Sequence, residues 1–231
     1  MKRFYKDAAI VAEGDGWSVT LDGRPMRTPA RAALLLPTEG LAHAVAEEWR
    51  AQGEEIDPRT MVKTGLANAA IDQVAPGRAA FAEGVALYAT SDLLCYRAEG
   101  PQELVIRHAA AWNPLLDWAR TRYDVAFTVT SGIIPVAQPP ETLERMHQTV
   151  ETHPDFILTA LSTLVTLSGS LVCGLAVVER AFDAETVWDA AEIDERWQAE
   201  QWGEDAEAAQ RAAGRRRDFL AARDFCALAA D

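Results

Sequence analysis

Apolar residues recur with two different periods along this chain, and the change of period divides it. Trp17, Val19 and Leu21 alternate with Ser18, Thr20 and Asp22, the two-residue period of a strand with one buried face. Asp15-Gly16 precedes this run and Asp22-Gly23 follows it, and both are turn dipeptides with hairpin character. A second apolar run, Ala8 to Ala12, lies just upstream, and a third, Ala33 to Leu36, is ended by Pro37. Together they predict a small antiparallel sheet.

From residue 38 the period lengthens. Thr38 can cap a helix that carries Leu41, Val45 and Trp49 at four-residue steps, with Gly53 as its stop. Asp57-Pro58 reads as another helix start, a capping carboxylate followed by proline at the first helical position. Pro76 opens a stretch with Phe81, Val85 and Tyr88 on one face. Pro101 opens a longer one with Leu104, Ala111, Leu115 and Trp118 on one stripe, which Pro114 should kink. Val125, Phe127 and Val129 alternate again and predict a returning strand near 124–130. From Pro140 the pattern is helical to the end. The class is therefore α+β: a sheet-bearing N-terminal domain over 1–75, to which the strand near 124–130 can also belong, and a mainly helical domain over 76–231.

Composition narrows the function. A chain of 231 residues buries a sizeable core, roughly 70% of its unfolded surface, without disulfides or metal. The net charge of -13 and the pI near 4.8 argue against nucleic acid and against an anionic membrane as partners. Cys95, Cys173 and Cys226 are far apart, odd in number and set among apolar neighbours, which fits buried thiols in a reducing compartment. The N-terminal residues carry no apolar leader, so a cytoplasmic protein is expected. The uncharged segment 156–178 is long enough to span a bilayer. Ser168-Gly169-Ser170 interrupts it, and it lacks flanking Lys/Arg and an aromatic belt, so a buried helix pair is the expectation and a membrane-associated factor the alternative. No heptad run demands self-association, and a free monomer is expected.

Catalytic signatures are absent. There is no phosphate-binding glycine loop, no nucleophile elbow, no His-Glu-x-x-His and no paired Cys-x-x-Cys. His43, His108, His147 and His153 stand singly, and Ser170 and Cys173 lie in the apolar segment. No cofactor or metal is implied, and the chain reads as a binding protein. An enzyme with a site assembled from distant residues is the competing reading.

The distinctive region is 188–210, where Trp188, Trp197 and Trp202 sit among many carboxylates. On a helix, Ile193 and Trp197 share one face, while Glu195, Gln198 and Trp202 share another. Gly203 should end that helix, and Glu204 and Asp205 should start the next, where carboxylates complement the helix dipole. Such a segment can be a core helix with a solvated acidic face, or an acidic recognition surface with aromatic anchors. Arg215-Arg216-Arg217 reads as a solvated patch that offsets nearby acids.

Several short motifs, in order and spanning nearly the whole chain, resemble the assembly chaperones of the ATP synthase catalytic head, the family that binds its alpha subunit. They are Phe4-Tyr5-Lys6, Trp17 to Pro25, Arg27-Thr28-Pro29, Glu48-Trp49, Asp92 to Arg97, Trp112 to Trp118, Gly169-Ser170-Leu171 and Gln198 to Asp205. The resemblance implies a non-enzymatic chaperone that covers the free alpha subunit until beta subunits displace it. It also implies a sheet-bearing N-terminal domain, a helical C-terminal domain, and an essential acidic residue near the Trp-Gly motif. Glu195, Glu204 and Asp205 are the candidates, and with Trp202 and Gly203 they form the expected client-binding set.

Overall fold

The structure, a computed structural model, describes residues 1–203 and 205–230. Glu204 lies outside the described residues. The chain forms two compact units: one holds residues 1–78, 154–160 and those from Ala221 on, the other residues 79–153 and 161–220.

The first unit carries an antiparallel sheet of β1 (Ala8–Glu13), β2 (Gly16–Leu21), β3 (Arg24–Pro25) and β4 (Leu35–Leu36). β2 is central and pairs with each of the other three. The β1–β2 register runs from Ala8↔Leu21 to Glu13↔Gly16, so the hairpin loop is Gly14-Asp15, one residue earlier than Asp15-Gly16. Gly14 has the positive φ, +59°, that the turn needs. Gly16 is instead the first residue of β2, where a Cβ would stand 2.7 Å from the Leu36 carbonyl oxygen. At the next turn Asp22 (φ +48°) and Gly23 (φ +77°) both take left-handed backbone, as a type I′ turn requires. The Asp22 carboxylate accepts from the Asp7 and Lys6 amides, which hold it below the usual carboxylate range.

Helix α1 (Glu39–Arg50) starts at Thr38, whose hydroxyl accepts from the Leu41 amide at 3.1 Å and donates to the Leu228 carbonyl at 2.6 Å. It buries Leu41, Ala42, Val45 and Ala46, and it stops before Gly53. Glu48 accepts from the amides of Lys63 and Thr64, capping α2 (Val62–Ala69). Trp49 packs edge-on against Tyr5, ring centroids 5.6 Å apart, at the border of a core of Tyr5, Ala8, Leu21, Ile56 and Met61. The Glu48-Trp49 pair thus performs two structural tasks, one polar and one apolar.

The second unit is helical. In chain order its elements are α3 (Arg78–Ala86), β5 (Tyr96–Arg97), α4 (Gln102–Tyr123), β6 (Thr130–Ser131), α5 (Pro140–Glu151), α6 (Asp155–Ser168), α7 (Leu171–Val178), α8 (Ala184–Ala191), α9 (Ile193–Trp202) and α10 (Ala206–Ala230). The ends of α6 and α10 belong to the first unit. Of the strand expected near 124–130 only β6 pairs, parallel to β5. Side chains take its ladder partners instead: Thr142 bonds the Ala126 backbone and Gln138 bonds both backbone groups of Thr128. Pro114 sits inside α4, which runs unbroken. The buried stripe of α4 is Leu104, His108, Trp112, Leu115, Ala119 and Tyr123, rotated from the expected one so that a histidine replaces Ala111.

The segment 156–178 is a helix pair. Gly169 (φ +69°) breaks it, and Ser170 accepts from the Cys173 amide to start α7. Gly174 lets the two helices close: a Cβ there would lie 2.5 Å from Val165. Among the described residues no helix is long and apolar enough to cross a membrane.

Candidate functional site

The site begins inside the second unit, with Asp92. Its carboxylate is buried and accepts from the amides of Leu94 (3.0 Å) and Val172 (3.1 Å), joining the turn after α3 to the N-terminus of α7. The Leu93 amide donates to the Gly169 carbonyl at 3.1 Å beside it. Burial pushes the Asp92 carboxyl up to about 6, against the pull of Ser170 and the backbone amides. Two motifs some eighty residues apart in sequence, Asp92-Leu93-Leu94-Cys95 and Gly169-Ser170-Leu171, are therefore one structural device. Burial likewise pushes the thiols of Cys95 and Cys173 up to about 12, so both are protonated and poor nucleophiles.

Helix α4 carries the next layer. His108, only 2% exposed, accepts from the Ala98 amide through Nδ1 (3.2 Å). Its Nε2 must then carry the proton and donate to Asp194 on α9, 2.8 Å away. The ring stacks on Trp112 with centroids 3.8 Å apart, and the Trp112 indole donates to the Ala190 carbonyl on α8 at 2.7 Å. Arg97 lies over the other arm of this assembly, with its guanidinium 5.2 Å from the Trp112 ring and a bond to the His108 carbonyl. A His–Asp pair is two thirds of a hydrolytic triad, but here both ring nitrogens are engaged, Nδ1 by the Ala98 amide and Nε2 by Asp194. The pair instead fixes α9.

Arg107, one position before His108, reinforces that fixation. It pairs with Glu200 at 2.8 Å, with Glu103 on its own helix, and covers the buried Trp197 ring at 4.8 Å. Trp197 is thus the inward anchor of α9. Trp202, five residues on, is 77% exposed. Gly203 ends the helix with φ +89° and ψ 158°, a conformation essentially reserved for glycine. Asp205 accepts from the Glu207 amide as α10 begins.

Between α8, α9 and α10 lies a groove of about 920 Å³. Glu195, Trp202, Gly203 and Asp205 line it together, with Trp188 and Glu192 at its base. Arg215 on α10 holds both oxygens of Glu192 at 2.8 Å, yet burial still raises that carboxyl above its ordinary range. Arg216 pairs with Glu185 and Arg217 with Asp218, so the arginine run does offset nearby acids. The groove's described lining offers no serine, threonine, cysteine or histidine. Among the described residues no cluster could hold a metal ion. The arrangement suits recognition: an aromatic ring in water, on a helix whose opposite face is locked, at the edge of a groove lined by both carboxylates and arginines.

The groove brings together four of the residues named from the sequence, Glu195, Trp202, Gly203 and Asp205, but little in the sequence pointed to what holds α9. His108 stands singly in the sequence, and its partner Asp194 is 86 residues away. The one legible signal was its position on the stripe of α4.

Comparison with known proteins agrees with the motifs. The family model of the ATP12 chaperone protein matches residues 2–120. The crystal structure of Atp12 from Paracoccus denitrificans is 46% identical and covers 99% of this chain and 98% of its own, with a TM-score of 0.93. The Atu1473 protein from Agrobacterium tumefaciens is 39% identical, covering 98% of this chain and 85% of its own, with a TM-score of 0.94. The mitochondrial protein atp12 of Schizosaccharomyces pombe is 24% identical over 214 residues, 87% of this chain and 74% of that one. The chain belongs to the ATP12 chaperone family, the assembly chaperones of ATP synthase.

Proposed function

We propose that this chaperone holds the free alpha subunit of the ATP synthase catalytic head, in a bacterial cytoplasm, and yields it when beta subunits arrive. The choice of alpha rests on the resemblance of the chain's motifs to the chaperones of that subunit. The observation that carries the binding reading is Trp202, a large aromatic held in solvent by a helix braced on its other side. An unpaired alpha subunit exposes apolar surface that aggregates. Trp202 offers that surface an anchor, and Glu195, Glu204 and Asp205 set its charge. Release needs no nucleotide hydrolysis, because beta competes for the same surface by mass action. The chain acts as a monomer and carries no chemistry of its own.

The test is light scattering of purified alpha subunit, alone and with this chain in equal amount. Suppressed aggregation, reversed into productive complex when beta is added, is the expected result. Aggregation at the unassisted rate overturns the proposal and returns attention to a catalytic use of the groove.

A further inference from the structure

We infer that the first unit carries a second recognition site: an aromatic, arginine-rimmed groove that takes an acidic segment of the client. The inference rests on the reading of alpha as client, but on none of the residues of the Trp202 corner.

The groove, about 550 Å³, falls within the range of roughly 300–1,000 Å³ typical of ligand clefts. Its floor is Tyr5, Trp49 and Met26, and Phe4 stands over it 64% exposed. Phe4 and Tyr5 meet edge-on with centroids 5.4 Å apart, so the exposed ring is held against a fixed one. The rim carries Arg24 and Arg27. Both are exposed and neither meets a carboxylate.

Charge identifies the occupant. Residues 1–31 hold six basic residues against four acidic ones, a small positive excess in a chain of net charge -13. Most arginines further along the chain, though not Arg97, are paired. Arg50, Arg59, Arg78, Arg107, Arg122 and Arg215 all meet carboxylates. Among the described residues none of the four arginines before position 32 does. Arg3 spends its donors on the carbonyls of Tyr5, Gln52 and Lys6, and Arg27 donates to the Arg31 carbonyl, so neither closes an ion pair. Asp22 also lines the groove and, kept ionised by the Asp7 and Lys6 amides, offsets one of the two rim charges, which leaves a single positive charge in excess at the rim. The complementary ligand therefore presents carboxylates to Arg24 and Arg27 and sets an apolar side chain against Phe4 and Trp49. A protein segment satisfies both demands at once.

The experiment measures the affinity of purified alpha subunit for the parent chain, for R24E/R27E and for W202S, at roughly 50 and 300 mM salt. Arg24 and Arg27 are exposed and outside the core, so the double variant should melt as the parent does. R24E/R27E is expected to bind about tenfold more weakly at low salt and to lose most of the parent's salt dependence, while W202S weakens binding without changing that dependence. Parent-like binding by R24E/R27E overturns the second site and leaves the client assignment standing. Failure of the parent chain itself to bind alpha overturns both. Binding of ATP to the parent that R24E/R27E abolishes, or self-association of the parent that it abolishes, would assign the groove to a nucleotide or to a second copy and equally overturn the inference.

Discussion

Asp92 and Trp202 mark two regions of the second unit that solve opposite problems. Around Asp92 every strong polar group has a partner: the carboxylate caps α7, His108 bridges Ala98 and Asp194, and the Trp112 indole reaches Ala190. Around Trp202 a large apolar surface lies in water and the backbone turns at a glycine-only conformation. The family-like motifs fall in both places, but for different reasons. Those at 92–97, 112–118 and 169–171 build a scaffold, and the one at 198–205 is what the scaffold presents. Damage to the first region should therefore be read in stability, and damage to the second in binding.

The sharpest way to break this distinction is at Asp92. Asp92→Ala strands the Leu94 and Val172 amides in the interior. Each orphaned donor costs about 1–3 kcal/mol, so the variant should lose several degrees of Tm or more. Differential scanning calorimetry checks this, and a parent-like melt would show that Asp92 is not what joins the two motifs.

Trp112→Ala should cost about 3–5 kcal/mol, through a cavity under His108 and an orphaned Ala190 carbonyl. It should also loosen α9, which hydrogen exchange of that helix would report. If exchange in α9 is unchanged, the brace on Trp202 does not run through Trp112.

A third expectation concerns pH. The Asp92 carboxyl is raised from 3.8 to about 6 in the folded state, so the native protein holds this proton more tightly than the unfolded chain does. The stabilisation is complete below about pH 4 and is lost as pH rises through about 6, a contribution on the order of 3 kcal/mol. Urea unfolding at pH 5 and pH 7.5 should show a smaller difference for Asp92→Asn than for the parent. Equal differences would contradict the assignment.

Gly203→Ala sits between the two regions. Space around the Cα is open, so only the strain of φ +89° is felt, about 1–3 kcal/mol and local to the corner. Binding should weaken because Trp202 is displaced, although the global melt hardly moves. A large fall in Tm would place the corner in the core instead.

The smallest stability effects belong to the residues proposed to bind the client. Trp202→Ser and Glu195→Lys should change stability by no more than about 0.5 kcal/mol. Trp49 gives a parallel contrast in the first unit, where its indole nitrogen is buried without an acceptor. Trp49→Phe should be tolerated, because no hydrogen bond is lost. Trp49→Arg should unfold that unit by burying a charge at its core border. Circular dichroism melts separate the two.

How much of this was legible in the sequence depends on the range of the interaction. Thr38 and Gly203 act on their own helix ends, and residue type alone announced them. The break at 168–170 was visible for the same reason. The hairpin loop slipped by one residue because Gly14 and Gly16 flank Asp15 alike, and only the close approach of the Leu36 carbonyl decides between them. The strand near 124–130 failed because Thr142 and Gln138, later in the chain, take its backbone groups. The exposed residues of the site were legible as an aromatic-acidic cluster. Their brace was not: nothing local links His108 to Asp194 or Asp92 to Val172.

We propose that a braced, exposed Trp202 holds the alpha subunit until beta replaces it. A pull-down of separately expressed alpha and beta by the parent chain and by Trp202→Ser, with melts of both, tests it most directly. The account predicts that the parent retains alpha and not beta, that added beta strips alpha away, and that Trp202→Ser melts normally but retains little alpha. Retention of alpha by Trp202→Ser at the parent's level, or failure of the parent to retain it, would contradict the account.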